Sequence, residues 1–329
     1  MKRILCIVLS VSLLSGCERL LIEKETAAIL AVKTADPEQI IISTRDIDLF
    51  WKAYDAAPTA ADKAAHWQQT YLDMATPVVK STLAIAKWTG TSYNTATTQR
   101  YPKFYQSIRT MSTTGIQGQQ GAIREALKTM RQVYADATFS GVYFGMGIFN
   151  NGGKSLGNGV YIGTEFFSLS SETNLTELTP YLRSVMNAPD RLPVIVAHEM
   201  GHQQQRYTNT STLLGAAIAE GSADFLAFLA TGSPATGGQT FTYGIANERA
   251  VWQAFTKEMS GTVWSNWLYN GSSGNAYNFP PDMGYFVGYR ICKAYYDRAT
   301  DKQQALRDML RTTDFPAFLA KSGYAEQWK

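Results

Sequence analysis

Histidine is the scarcest chemistry-bearing residue in this chain, with 3 among 329 residues. Any site built on imidazole must therefore draw on His66, His198 or His202. Cysteine is equally sparse at 3, and two of these, Cys6 and Cys17, sit near the N-terminus. That leaves Cys292 alone, which excludes a disulfide within the folded part even in an oxidising compartment. Its apolar surroundings at 286–294 mark it as a small buried hydrophobe. Excess charge is missing too: the formal net charge is +3, and falls to +1 once Lys2 and Arg3 are removed with a leader. A nearly neutral protein has no electrostatic reason to bind nucleic acid or another polyanion. Internal repeats and flexible low-complexity linkers are also lacking, so the length points to one catalytic unit with two packed lobes.

The first sixteen residues stand apart from that fold. Lys2 and Arg3 precede an apolar run over 4–14, the layout of a secretory signal. The run is shorter than the roughly 20 residues of a permanent membrane helix. It ends in Leu14-Ser15-Gly16-Cys17, which resembles the bacterial lipobox, and the resemblance implies lipidation of Cys17 and attachment to a membrane. Glu18 follows where an aspartate would favour inner-membrane retention, so the expected location is the cell envelope with a lean towards the outer membrane. Residues 17–39 then read as a lipidated tether.

Ile40, Ile41 and Ile42 suggest a strand, and Ser43-Thr44-Arg45-Asp46 has capping-box spacing ahead of Ile47, Phe50, Trp51 and Tyr54 at helical intervals. Ile123, Leu127, Met130 and Val133 share one face of another helix, so 40–138 reads as mainly helical. From 139 the pattern changes. Residues 142–149 are β-branched and aromatic, Asn150-Asn151-Gly152-Gly153 supplies turn chemistry, and 159–163 reads as the partner strand of a hairpin with a long glycine-rich loop. The hairpin and the helices after it form a core over 139–231, and 232–329 reads as a helical C-terminal region.

The informative stretch follows. Asp190-Arg191-Leu192-Pro193 predicts a helix start with an acidic cap, and that helix carries His198-Glu199-Met200-Gly201-His202. Histidines four residues apart share a face, so both imidazoles reach one cation. Zinc suits them, because imidazole is a borderline ligand and a tetrahedral ion leaves room for water. Glu199 is rotated about a third of a turn from His198, which suits a general base acting on a bound water rather than a ligand. A second, antiparallel helix over 213–229 brings Glu220 back to the level of the histidines as third ligand. Asp224 lies one turn further on, where it accepts a hydrogen bond from the distal nitrogen of a ligating histidine. Small residues at Gly201, Gly215, Ala216, Ala217 and Ala219 permit the two helices to approach closely.

The HExxH helix followed by a glutamate on the next helix, with aspartate four positions later, resembles the gluzincin arrangement of thermolysin-like metallopeptidases. A closer resemblance is to a family of bacterial predicted zinc-dependent proteases, some of them lipoproteins, related to gliding-motility lipoproteins. It rests on an early Asp-Ile-Asp-x-Phe-Trp segment at 46–51, a glycine-rich hairpin before the motif, and a late Gly-Tyr-x-x-Gly-Tyr segment at 284–289. What the resemblance implies is an α+β, zincin-like fold with one zinc ion per chain, hydrolysing peptide or protein substrates. It also implies an edge strand beside the metal helix, expected at 160–166, that binds extended peptide. One departure stands out: no histidine lies downstream to stabilise the oxyanion, since His66 is far upstream. Tyr285 and Tyr289, four apart on an expected helix, are the candidate donors, with Tyr289 set beside Glu199 in the expected catalytic group; core packing is the other reading of Tyr289. The rival to the whole scheme is a zinc-binding lipoprotein without turnover, acting as a binding or assembly module.

Overall fold

Aromatic residues at helical spacing organise the N-terminal region. In the computed structural model, which describes residues 33–271 and 273–328, strand β1 (Ile42–Ser43) leads into helix α1 (Arg45–Ala56). Phe50 on α1 is fully enclosed, with the rings of Trp67, Tyr71 and Tyr105 centred 5.3, 5.5 and 5.7 Å away. These are spacings at which aromatic pairs attract beyond simple burial. The start of α1 departs from the expected capping box: the Thr44 side chain makes no cap bond. Asp46 instead turns inward and accepts bonds from the backbone amide of Thr76 at 2.8 Å and its hydroxyl at 2.5 Å, tying α1 to the start of α2 (Pro77–Ile85). The Asp-Ile-Asp-x-Phe-Trp segment is thus core structure. His66 is structural as well, with Nε2 2.9 Å from the carbonyl oxygen of Ala53. Helix α3 (Gln120–Val133) buries Ile123, Leu127 and Met130. The leader, the lipobox and Cys17 lie outside the described residues.

The sheet has four strands in the order β1-β2-β4-β3, where β2 is Val142–Gly145, β3 is Gly153–Leu156 and β4 is Gly159–Gly163. Its pairing corrects the expected hairpin. The stretches containing β2 and β4 run parallel, with Val142 opposite Val160, and β4 pairs in antiparallel fashion with β3 across the two-residue turn Gly157-Asn158. Every residue of β2 and β4 is buried, and an apolar run without alternation is what a parallel strand covered on both faces requires. β4, the expected edge, is therefore an interior strand, and β1 and β3 are the edge strands.

Beyond the sheet lie α4 (Leu192–Gln204), α5 (Leu213–Thr231), α6 (Met283–Arg298), α7 (Lys302–Arg311) and α8 (Phe315–Ser322). The whole is α+β, mostly helical with a small mixed sheet. Helix α4 starts without the expected Asp190 cap. A 3-10 turn, Pro189–Arg191, leads into it, and the Arg191 guanidinium binds Ser233 Oγ and the carbonyls of Pro234 and Ala235 at 2.9–3.1 Å. Helix α5 packs against both α4 and α6 and is buried on nearly all sides, which explains its apolar composition. Glycines set the distances. A β-carbon on Gly201 would lie 2.9 Å from the Cα of Ala223, and one on Gly288 would run into the Ala217 carbonyl. Gly215, by contrast, faces the ring of Phe315.

Candidate metal centre

The antiparallel approach of α4 and α5 brings three potential ligands together. His198 and His202 stand one turn apart with their Nε2 atoms 3.1 Å from each other. Glu220 Oε2 lies 3.2 Å from Nε2 of His202 and 3.6 Å from Nε2 of His198. A zinc ion with bonds of about 2.0–2.1 Å in tetrahedral geometry keeps its ligand atoms roughly 3.3 Å apart. The three separations bracket that value, so the residues present fit such an ion. Two imidazole nitrogens and a carboxylate oxygen converging on one point make the donor set that such an ion takes.

The far sides of both rings are held. His198 Nδ1 lies 2.8 Å from Asp224 Oδ1, and Asp224 is fixed in turn by the amides of Ala235 and Thr236 at 3.1 and 3.2 Å. Donating Nδ1–H to that carboxylate leaves the Nε2 lone pair aimed into the cluster. His202 Nδ1 lies 3.2 Å from Gln205 Oε1. The Gln205 amide nitrogen is already committed to the Ala219 carbonyl at 2.6 Å and Ser222 Oγ at 3.0 Å, so its oxygen faces the ring as acceptor. Gln205 escaped sequence reading, although its place three residues after His202, just past the helix end, is a usable signal.

Charge in the cluster follows the same geometry. Burial opposes a charge on His198, but the carboxylates of Asp224 and Glu220 outweigh it and hold the imidazole well above its ordinary pKa. Burial likewise disfavours an ionised Glu220, yet the two histidines keep it well below the carboxylate range. Glu199 shows the opposite balance: burial raises it, and His198 and His202 only partly compensate. Its carboxylate accepts a bond from the backbone of Ser155 on β3, and Gly153 on the same strand has no room for a β-carbon against it. Edge strand β3 thus runs beside Glu199, the one acid of the motif outside the His198, His202 and Glu220 cluster.

Tyrosines complete the surroundings, but not the one expected. The ring of Tyr289 packs edge-on against Phe225, Phe228 and Phe241 in the apolar core, which places it in a packing role. Tyr285, one turn earlier, stacks on His198 with ring centres 6.3 Å apart. Tyr269, which sequence reading missed, donates its hydroxyl to Glu220 Oε1, the oxygen turned away from the histidines. The residue as a whole is exposed, but its hydroxyl end is enclosed beside Glu220; that local enclosure first, and the Glu220 carboxylate second, raise its pKa and keep it protonated.

The model of a protein family described as "Gliding motility protein GldB" matches residues 33–326. The chain belongs to this gliding motility family. The family is one of lipoproteins of the cell envelope, and the match spans the sheet, α4, α5 and α6. No curated protein and no solved structure matches the chain. The likeness to zinc-dependent proteases therefore rests on the residues of this gliding-motility lipoprotein itself.

Proposed function

We propose that this member of the gliding motility family is a zinc-dependent peptidase with a zincin-like core, anchored to the envelope through lipid on Cys17. The observation that carries the reading is the His198, His202 and Glu220 triangle, of near-tetrahedral dimensions, beside a buried carboxylate that is not part of it. Zinc held there would supply a Lewis acid that acidifies water and polarises a carbonyl.

The remaining work falls to the chain. Asp224 and Gln205 fix both imidazoles in the tautomer that presents Nε2. Glu199, whose burial raises its pKa and so makes its ionised carboxylate a stronger base, takes a proton from the attacking water as the water oxygen bonds to the carbonyl carbon. It returns that proton to the amide nitrogen as the carbon–nitrogen bond breaks, leaving a carboxylic acid and an amine. β3 is an edge strand beside Glu199, the kind of position at which an extended peptide adds to a sheet, which fits a peptide or protein substrate.

A second reading keeps the metal without turnover, as an envelope binding module, and membership of a motility family favours it. Glu199 argues the other way, because a purely structural zinc site gains nothing from a buried extra acid. The test is digestion of unfolded casein or a peptide library by the zinc-loaded protein, its Glu199→Gln variant and a chelated sample. Turnover falling by about 10²–10⁴-fold in the variant, with zinc retained, supports the peptidase. Stoichiometric zinc with no turnover on any substrate favours the module.

A further inference from the structure

We infer that Tyr269 is a positioning residue that restricts Glu220 to a single ligand oxygen, an inference that rests on the proposed metal site. Glu220 divides its two oxygens between different tasks. Oε2 faces both imidazoles at 3.2 and 3.6 Å, while Oε1 receives the Tyr269 hydroxyl. A carboxylate whose second oxygen is free can turn to chelate an ion with both, which fills a position that substrate or water needs. A hydroxyl proton on Oε1 opposes that turn and leaves the position open.

The backbone that delivers this hydroxyl is unusual. Tyr269 has φ +55°, a left-handed conformation that non-glycine residues adopt at an energetic cost. Neighbouring bonds enforce it. The amide of Asn270 donates to Asp282 Oδ1 at 3.2 Å and the amide of Asp282 returns a bond to Asn270 Oδ1 at 2.8 Å, pinning the segment to the start of α6. Asn270 is buried, and Asp282 is itself left-handed at φ +61°. Packing of the phenol ring does not account for this outlay, since Tyr269 is 63% exposed. The contact that the strained segment secures is the one to Glu220. Tyr285, whose ring meets Tyr269 edge-on at 6.1 Å and stacks on His198, steadies the phenol from the inner side.

The test loads the whole protein with cobalt(II), whose visible absorption is strong when four-coordinate and weaker when five-coordinate. Wild type, Tyr269→Phe and His198→Ala are compared. The expected result is one cobalt in wild type, none in His198→Ala, and in Tyr269→Phe one cobalt bound about tenfold more weakly with reduced absorption. The phenyl ring keeps its exposed place, so folding is unaffected. A Tyr269→Phe protein that matches wild type in both affinity and spectrum overturns the inference and leaves the metal site standing. Wild type that binds no cobalt, or binds it equally well without His198, overturns the metal site and the inference with it.

Discussion

Replacing Gly153 by alanine adds one methyl group where β3 presses on Glu199. Its β-carbon would stand 3.0 Å from both Cγ and Cδ of Glu199 and closer still to Oε1. Ordinary carbon contacts lie at about 3.5–4.0 Å, so the carboxylate or the strand has to yield by roughly 0.5–1 Å. Gly153 does not use a left-handed backbone, which means that alanine is conformationally acceptable and the collision is the whole perturbation. A misplacement of about 1 Å at a reacting group costs on the order of 10²-fold in rate. The assay is casein or peptide turnover by the zinc-loaded protein, with metal content measured on the same samples. Gly157→Ala is the control, because a β-carbon at this tip of the same hairpin meets nothing within 4 Å. The expected outcome is full zinc occupancy in both variants, a loss near 10²-fold in Gly153→Ala and none in Gly157→Ala. Wild-type turnover in Gly153→Ala, or an equal loss in both, refutes the placement of Glu199 as the base beneath the edge strand.

Asp224→Asn removes the charge that holds His198 Nδ1–H, and is expected to weaken zinc binding by about 10–100-fold in chelator competition with the fold retained. Unchanged affinity would show that the tautomer is set some other way. A second prediction concerns Glu165, a buried carboxyl raised to about 7 by burial, against the opposing pull of bonds from the Gly147 and Phe149 amides. Because its folded pKa lies above its ordinary value of 4.5, its contribution is fully present below that value and is lost as pH rises through about 7. The loss amounts to about 3 kcal/mol in unfolding free energy across this window. Urea titrations at both ends should show it in wild type, and a much flatter dependence in Glu165→Gln; parallel curves for the two proteins would contradict it.

Legibility in the sequence followed the range of the interactions. The α3 face and the one-turn pair His198 and His202 depend on neighbours three or four residues away, and periodicity reveals these. The return of α5 was readable because a short turn leaves an antiparallel helix few alternatives. The sheet was not, since β2 and β4 are buried on both faces and show no alternation that would separate a parallel pair from a hairpin. The turn Gly157-Asn158 was hidden within a long glycine-rich stretch. Tyr285 and Tyr289 share a face of α6, and which of them meets His198 depends on where Gly288 lets α6 touch α5. Tyr269 reaches Glu220 from 49 positions away along an irregular segment, a contact that no local pattern encodes.

A cation bound between α4 and α5 is detected without any substrate by elemental analysis of the purified, dialysed protein. One zinc per chain in wild type, falling to near none in His198→Ala while circular dichroism stays the same, is the predicted result. A wild-type protein free of bound metal after incubation with zinc, or one whose zinc survives loss of His198, would contradict it.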